Sequence, residues 1–111
     1  MKREGKVYFQ DRLAGKVWQD ETSYGFVYDE TWLRIPTAQP VSLTLPLRAE
    51  PYTSPTMIPF FDGLIPEGWL LELTVKNWKL DPADRMGLLL TACKDCIGAV
   101  SVEMIETKEN L

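Results

Sequence analysis

The sequence predicts an α+β fold, in which a small, mainly antiparallel sheet packs with two or three helices in a single domain. Short runs of alternating apolar and polar residues fill the first half of the chain and are typical of half-buried strands. A helical pattern and one more alternating run follow, an order typical of the α+β class. Because 111 residues can bury one core but not two, we expect residues 1–111 to form one domain.

Three strands are predicted at the start of the chain. Residues 7–10 and 13–18 are short apolar runs, and Asp11 and Arg12 between them favour a hairpin turn. Residues 24–28 carry an aromatic side chain at every second position, which would place an aromatic stripe on one face of the third strand.

The middle of the chain mixes predicted elements with loop. Residues 29–34 could form a helical turn before Pro36. Residues 41–45 alternate apolar and hydroxyl side chains and predict a fourth strand, which Pro46 would end. Residues 49–59 are rich in proline, serine and threonine without a consistent period, so we interpret them as an ordered loop.

Two helices and a strand are predicted in the second half. The first helix is predicted over residues 67–77, and Pro66 directly before this run suits the first turn of a helix. The second begins with Asp81 as N-cap and has a core-facing stripe with helical spacing: Met86, Leu89, Leu90 and Cys93. Residues 98–105 predict the last strand, with three apolar side chains on one face: Val100, Val102 and Met104. The charged residues 105–111 predict a frayed tail.

The first predicted helix has two apolar faces. At ~100° per residue, Trp69 and Leu73 lie on one side of it. The residues nearly opposite are also apolar: Leu71, Val75 and Trp78. In one interpretation, the helix lies between the sheet and the second helix and both faces are buried. In the other, Trp69 forms an exposed patch for a partner together with Phe60, Phe61 and Leu64, which are nearby in sequence. Aromatic side chains are enriched at interface hot spots.

The composition argues against several functional classes. A net charge of −4 without clustered basic residues disfavours nucleic acid as the main partner. The chain has no histidine, which removes the commonest general base and zinc ligand. It also has no glycine-rich phosphate-binding motif. We therefore expect no enzyme activity, no cofactor and no metal. No apolar run approaches the roughly 20 residues of a membrane span, and no signal-peptide core follows the N-terminus, so we expect a cytoplasmic protein.

Cys93 and Cys96 form a C-x-x-C sequence. Such a pair can be a redox pair or half of a zinc site. No second C-x-x-C and no histidine is available to complete a zinc site, so we favour buried structural thiols.

Three blocks together resemble a known family: "SLTLPLRAEPY" (42–52), "PFFDGLIPEGW" (59–69) and "LLLTACKDCIGAVSV" (88–102). They are similar to the N-terminal subdomain of HipA-type serine/threonine kinases, the toxins of bacterial toxin–antitoxin modules. One departure is that the family's glycine-rich stretch before D-C is replaced here by residues 92–94. A free-standing copy of this subdomain resembles HipS, the small component of three-component HipBST modules.

The resemblance implies an antitoxin that binds and neutralises a HipT-like kinase through protein contact, with HipB as a DNA-binding partner in a larger complex. It implies no direct nucleic-acid contact and no membrane. The partner-binding residues that we expect are Phe60, Phe61, Leu64, Pro66, Glu67 and Trp69, with Trp69 as the anchor near the kinase cleft.

Two other functions fit the same resemblance. The chain could be a structural N-terminal piece of a HipA kinase, in which case a full-length kinase would be in frame with it. It could also be an adaptor that bridges kinase and HipB on operator DNA, and its removal would then weaken operator occupancy while kinase activity stays unchanged.

Overall fold

The computed structural model describes residues 3–65, 83–92 and 99–105. Within these ranges the elements, in chain order, are β1 (Arg3–Phe9), β2 (Arg12–Gln19), β3 (Tyr24–Tyr28), α1 (Glu30–Leu33), β4 (Tyr52–Ser54), α2 (Pro59–Asp62), α3 (Arg85–Ala92) and β5 (Val100–Met104). The five strands form one sheet in the order β4-β3-β2-β1-β5. Every neighbouring pair is antiparallel. The predicted α+β class is confirmed.

The β1–β2 hairpin turns one residue earlier than the sequence predicts. Gln10 and Asp11 have φ angles of 49° and 68°, the left-handed values that a tight two-residue hairpin turn needs. Arg12 already belongs to β2, where it pairs with Phe9. The pairing shifts between Val7 and Tyr8, which indicates a bulge in the opposite strand.

The fourth strand lies where the sequence predicts a loop. Residues 41–45 form an irregular turn, closed by a 3.0 Å hydrogen bond from the Leu45 amide to the Ser42 carbonyl. The predicted strand there is wrong because Leu43 does not share a buried face with its neighbours: it is 94% exposed. The edge strand β4 comes instead from the stretch that we interpreted as an ordered loop, and it pairs with the first half of β3.

The predicted helical turn and part of the second helix are confirmed. Asp29 caps α1, where its carboxylate accepts a 3.1 Å hydrogen bond from the Thr31 amide. In α3, the described members of the predicted stripe are buried: Met86, Leu89 and Leu90. Leu88 is fully buried as well, so the apolar surface of α3 is wider than one stripe. The predicted helix over 67–77, the N-cap Asp81, both cysteines and the tail beyond residue 105 lie outside the described residues.

The core lies on one face of the sheet. Its fully buried strand residues are Val7, Val17, Phe26 and Val102. Gly5 allows α3 to approach closely, since a Cβ there would lie 2.6 Å from Leu90 Cδ2. Met104, at the end of β5, is 55% exposed and does not belong to this core, although the alternation predicts it on the same face as Val100 and Val102. None of the helices in the described ranges is long and apolar enough to cross a membrane.

Candidate partner-binding site

The short helix α2 and the turn after it display two rows of apolar side chains. Phe61 and Ile65, four residues apart, are buried in the core. Phe60 and Leu64, also four residues apart, are only partly buried and pack against the core from outside. Because side chains four positions apart lie on one side of a helical segment, the sequence separates naturally into an inner and an outer row. We call Phe60 and Leu64 the outer row.

Ring contacts hold the inner row on the sheet. The Phe61 ring centroid lies 5.2 Å from that of Phe26 in β3, and Phe60 stacks edge-to-face on Phe61 at 5.1 Å. Phe61 is fully buried, so its predicted place in an exposed patch is wrong. The reason is that α2 docks on the aromatic stripe of β3 through this ring. Phe61 therefore supports the outer row from beneath.

The outer row leads towards residues that the structure does not describe. Backbone hydrogen bonds from the Leu64 amide to the Phe61 carbonyl (3.1 Å) and from the Ile65 amide to the Asp62 carbonyl (3.2 Å) continue the turn past α2. Pro66, Glu67 and Trp69 follow and lie outside the described residues. Of the six predicted site residues, the structure thus describes three and brings two of them, Phe60 and Leu64, to the surface.

Two ion pairs tie the helices to each other and to the sheet. Arg85 Nε donates to Asp62 Oδ1 at 2.7 Å, which joins α3 to α2. Arg3 binds Asp84 through two hydrogen bonds of 2.8 and 2.6 Å, which join β1 to the residue before α3. The hydrogen bonds from Arg3 hold the pKa of Asp84 below its usual value, and those same bonds raise the pKa of Arg3. These carboxylates are engaged as ion-pair partners, which is a structural role.

An open cleft lies beside the Arg85–Asp62 pair, between the start of β3 and the segment that precedes α2. Its walls are formed by Tyr24, Pro55, Thr56, Met57, Asp62 and Arg85. Over the described parts of the chain, no group of three His, Cys, Asp or Glu side chains lies close enough to hold a metal ion. The cleft therefore offers one ion pair in a wall of mixed polar and apolar side chains.

A second exposed feature was missed by the sequence reasoning. We define the Leu43 loop as residues 41–52, which follow α1 and end at the first residue of β4. Its start is held by the buried Tyr28 hydroxyl, which accepts from the Val41 amide at 3.0 Å and donates to the Leu45 carbonyl. Burial raises the pKa of Tyr28 and keeps this hydroxyl protonated. A turn signal was available in the hydroxyl side chains of Ser42 and Thr44, which favour local hydrogen bonds over strand pairing.

The comparisons with known proteins agree with one another. Residues 5–103 match the family model described as the HipA N-terminal domain. An uncharacterized protein of Haemophilus influenzae is 31% identical over 101 residues, which cover 91% of this chain and 92% of that protein. A protein of Sinorhizobium fredii named "Putative kinase Y4mE" is 35% identical over 97 residues, which cover 86% of this chain and 23% of Y4mE. A solved structure described as the N-terminal domain of HipA toxin matches with a TM-score of 0.72 at 26% identity, over 96% of this chain and 95% of that one.

Proposed function

This chain belongs to the HipA N-terminal domain family, and from that premise we propose that it is an antitoxin of the HipS type. It would bind a HipA- or HipT-like serine/threonine kinase and neutralise it by protein–protein contact. No reaction and no cofactor is part of this proposal. Binding alone is sufficient, because a domain that occupies or distorts a kinase cleft blocks the reaction sterically.

The observation that carries the proposal is the occurrence of this domain in two contexts. It makes up 92% of the Haemophilus protein but only 23% of Y4mE. In Y4mE, the domain is covalently joined to the much longer remainder of a kinase-named chain. Surfaces between domains of one chain resemble those between separate proteins, so a surface used within one chain can also serve between two.

We propose that the outer row, Phe60 and Leu64, forms part of this surface and that it continues into Pro66, Glu67 and Trp69. Trp69 would be the anchor near the kinase cleft, since a tryptophan buries a large area with few rotatable bonds. Phe61 is assigned a supporting role under Phe60, on account of their edge-to-face contact. A tryptophan hot spot contributes on the order of 2–4 kcal/mol, which corresponds to about 30- to 1,000-fold in affinity.

The same proposal includes a DNA-binding partner and a cytoplasmic location. A HipB-like DNA-binding protein would join the kinase and this chain in a larger complex, without direct nucleic-acid contact by this chain. The complex would act in the cytoplasm. The net charge of −4 supports this division of roles, because phosphate binding depends on clustered positive charge.

A second candidate function is a structural N-terminal part of a HipA kinase. The match to only 23% of Y4mE favours it, since there the domain is one piece of a longer chain. The two candidates differ in one measurable respect. An antitoxin restores growth when it is supplied as a separate chain beside an active kinase, whereas a purely structural piece leaves toxicity unchanged.

The test is growth rescue in one host. The HipA-family kinase encoded next to this chain is expressed from an inducible promoter, with and without the chain. We expect wild type to restore growth and Trp69→Ala or Phe60→Ala to lose the rescue. Kinase toxicity that persists beside soluble, folded wild-type protein would refute the antitoxin function.

Matched controls separate binding from folding. Leu13→Ala removes a partly exposed leucine from the opposite face of the sheet, where it pairs with Tyr8, and should leave rescue intact. Circular dichroism of each purified variant shows whether it is folded. If Trp69→Ala is unfolded, Phe60→Ala decides the assignment of the surface, and its full rescue would argue against it.

A further inference from the structure

We infer that Leu43 is a second anchor for the kinase partner, an apolar knob that inserts into an apolar pocket on the kinase body. This inference rests on the function proposed above and extends the interface beyond α2 to the Leu43 loop. The leucine is 94% exposed, the highest value among the exposed large apolar side chains of the described residues. A leucine so exposed gains nothing from its own fold, so its apolar surface is available to a partner.

The loop under Leu43 is built to hold it in one place. The Tyr28 hydroxyl bridges the Val41 amide and the Leu45 carbonyl on either side of the knob. The Leu45 amide donates to the Ser42 carbonyl at 3.0 Å, and the Thr44 amide donates to Ser42 Oγ at 3.2 Å. The ends of the turn, Val41 and Leu45, are both buried. A backbone held in this way loses little conformational entropy on binding, which favours affinity.

The far half of the loop is held by its own side chains. Arg48 stacks over the Tyr52 ring at 3.7 Å and donates to the Glu50 and Pro51 carbonyls at 3.1 and 3.0 Å. The Tyr52 hydroxyl donates to the Pro46 carbonyl at 2.5 Å. The exposure of Leu43 is therefore a property of an ordered loop. Ordered loops on a rigid scaffold are a common place for binding residues.

The knob and the outer row rest on neighbouring points of the same sheet face. The Tyr28 ring, under the Leu43 loop, packs on Phe26 at 4.8 Å, and Phe26 packs on Phe61 of α2 at 5.2 Å. Tyr28 and Phe26 are two residues apart on one strand, which corresponds to roughly 7 Å. We therefore assign the knob and the outer row to the same partner surface.

The lack of charge around Leu43 indicates which kind of pocket on the kinase it would fit. Residues 41–47, "VSLTLPL", carry no charge, although a quarter of the whole chain is charged. An apolar tip with a hydroxyl rim fits an apolar pocket. It does not fit a charged pocket, because the charge would lose its water without gaining a partner. The occupant that we assign is the kinase body, because in Y4mE this domain is joined to a much longer kinase-named remainder.

The test is a titration of the purified kinase with Leu43→Ala and Leu43→Asp by calorimetry. We expect alanine to weaken binding by about tenfold or more and aspartate to weaken it further. Leu43 makes no buried contact, so both variants should keep the wild-type circular dichroism spectrum and unfolding midpoint. Met104→Ala is the matched control, since it truncates another exposed apolar side chain on β5, at the opposite edge of the sheet.

The outcomes separate this inference from the function on which it rests. Wild type that does not bind the kinase would refute the proposed function. Wild type that binds, with Leu43→Ala and Leu43→Asp binding equally well, would refute only the role of the knob. Sedimentation in the absence of kinase completes the test: a wild-type dimer that Leu43→Ala dissociates would overturn the assignment of the knob to the kinase.

Discussion

The Tyr28 hydroxyl offers a direct test of how the Leu43 loop is held. Replacing Tyr28 with phenylalanine removes one oxygen atom and leaves the ring in its edge-to-face contact with Phe26. Two buried backbone groups then lose their partner, the Val41 amide and the Leu45 carbonyl. A buried polar group without its hydrogen bond costs about 1–3 kcal/mol. Partial relaxation of the turn towards water lowers the sum, so we expect a loss of about 2–4 kcal/mol.

The magnitude can be measured by urea unfolding followed by tryptophan fluorescence and circular dichroism. Domains of this size have unfolding free energies of about 5–15 kcal/mol, so the expected loss is a large fraction of the total. In a thermal scan, the midpoint should fall by about 10 °C or more. Amide hydrogen exchange adds a local readout, since the Val41 amide should exchange faster in the variant.

Tyr52→Phe is the matched control for this measurement. It also deletes one phenolic oxygen, but the hydrogen bond that it removes, to the Pro46 carbonyl of the Leu43 loop, is exposed. Water can replace that partner, so the expected loss is below about 1 kcal/mol. If Tyr28→Phe were as stable as Tyr52→Phe, the buried bridge would not stabilise the loop, and the preorganisation of Leu43 would lose its support.

Two further outcomes are expected from the described contacts. Because Arg3 lowers the pKa of Asp84 in the folded state, this pair stabilises the fold above the usual carboxyl pKa of about 4 and loses that effect as the pH falls through the lowered value. The unfolding midpoint of wild type should thus fall more steeply than that of Asp84→Asn as the pH drops below about 4. The Arg3 and Asp84 side chains are about a third exposed, so the difference in the free energy of unfolding is about 1 kcal/mol at most. Parallel curves for the two proteins would contradict this expectation. Gly25→Ala should destabilise by about 1–3 kcal/mol in urea, because its Cβ would lie 2.2 Å from Trp18 Cζ2. Gly63→Ala is its control, because a Cβ at Gly63 would lie 3.4 Å from its nearest neighbour and no loss of stability is expected. If the two variants unfolded at the same urea concentration, the Trp18 ring would not cover Gly25.

Local patterns in the sequence were sufficient for most of the sheet and for two helical segments. The period of two over residues 24–28 predicts β3, and the helical turn predicted over residues 29–34 contains α1. The helical spacing of Met86, Leu89 and Leu90 predicts the buried side of α3. Each of these signals depends on residues within one or two turns of the chain, so it can be read without knowing the fold. The three sequence blocks at residues 42–52, 59–69 and 88–102 also predicted the HipA N-terminal domain family, which the family model confirms.

Of the candidate site, the sequence identified the segment but not the orientation of its aromatics. Phe60 and Phe61 are adjacent and chemically identical, so no local pattern says which one faces the core. The choice is made by the docking of α2 on Phe26, a strand residue more than thirty positions earlier in the chain. Burial of one ring and partial exposure of the other follow from that single contact. The predicted contributions of all these site residues to partner binding, including those of Pro66, Glu67 and Trp69, stay predictions.

The location of the fourth strand and the exposure of Leu43 were decided only by the tertiary structure. Residues 41–45 alternate like a strand, but the Tyr28 hydroxyl, 13 and 17 positions away from its two partners, binds their backbone and closes a turn. The free edge of β3 is then paired by residues 52–54. Alternation predicts which side chains would share a face, whereas the hydrogen-bond partner of each backbone group depends on the position of distant residues. The sequence alone therefore determined the class and the family, and long-range hydrogen bonds and ring packing determined which apolar side chains stay exposed at the surface.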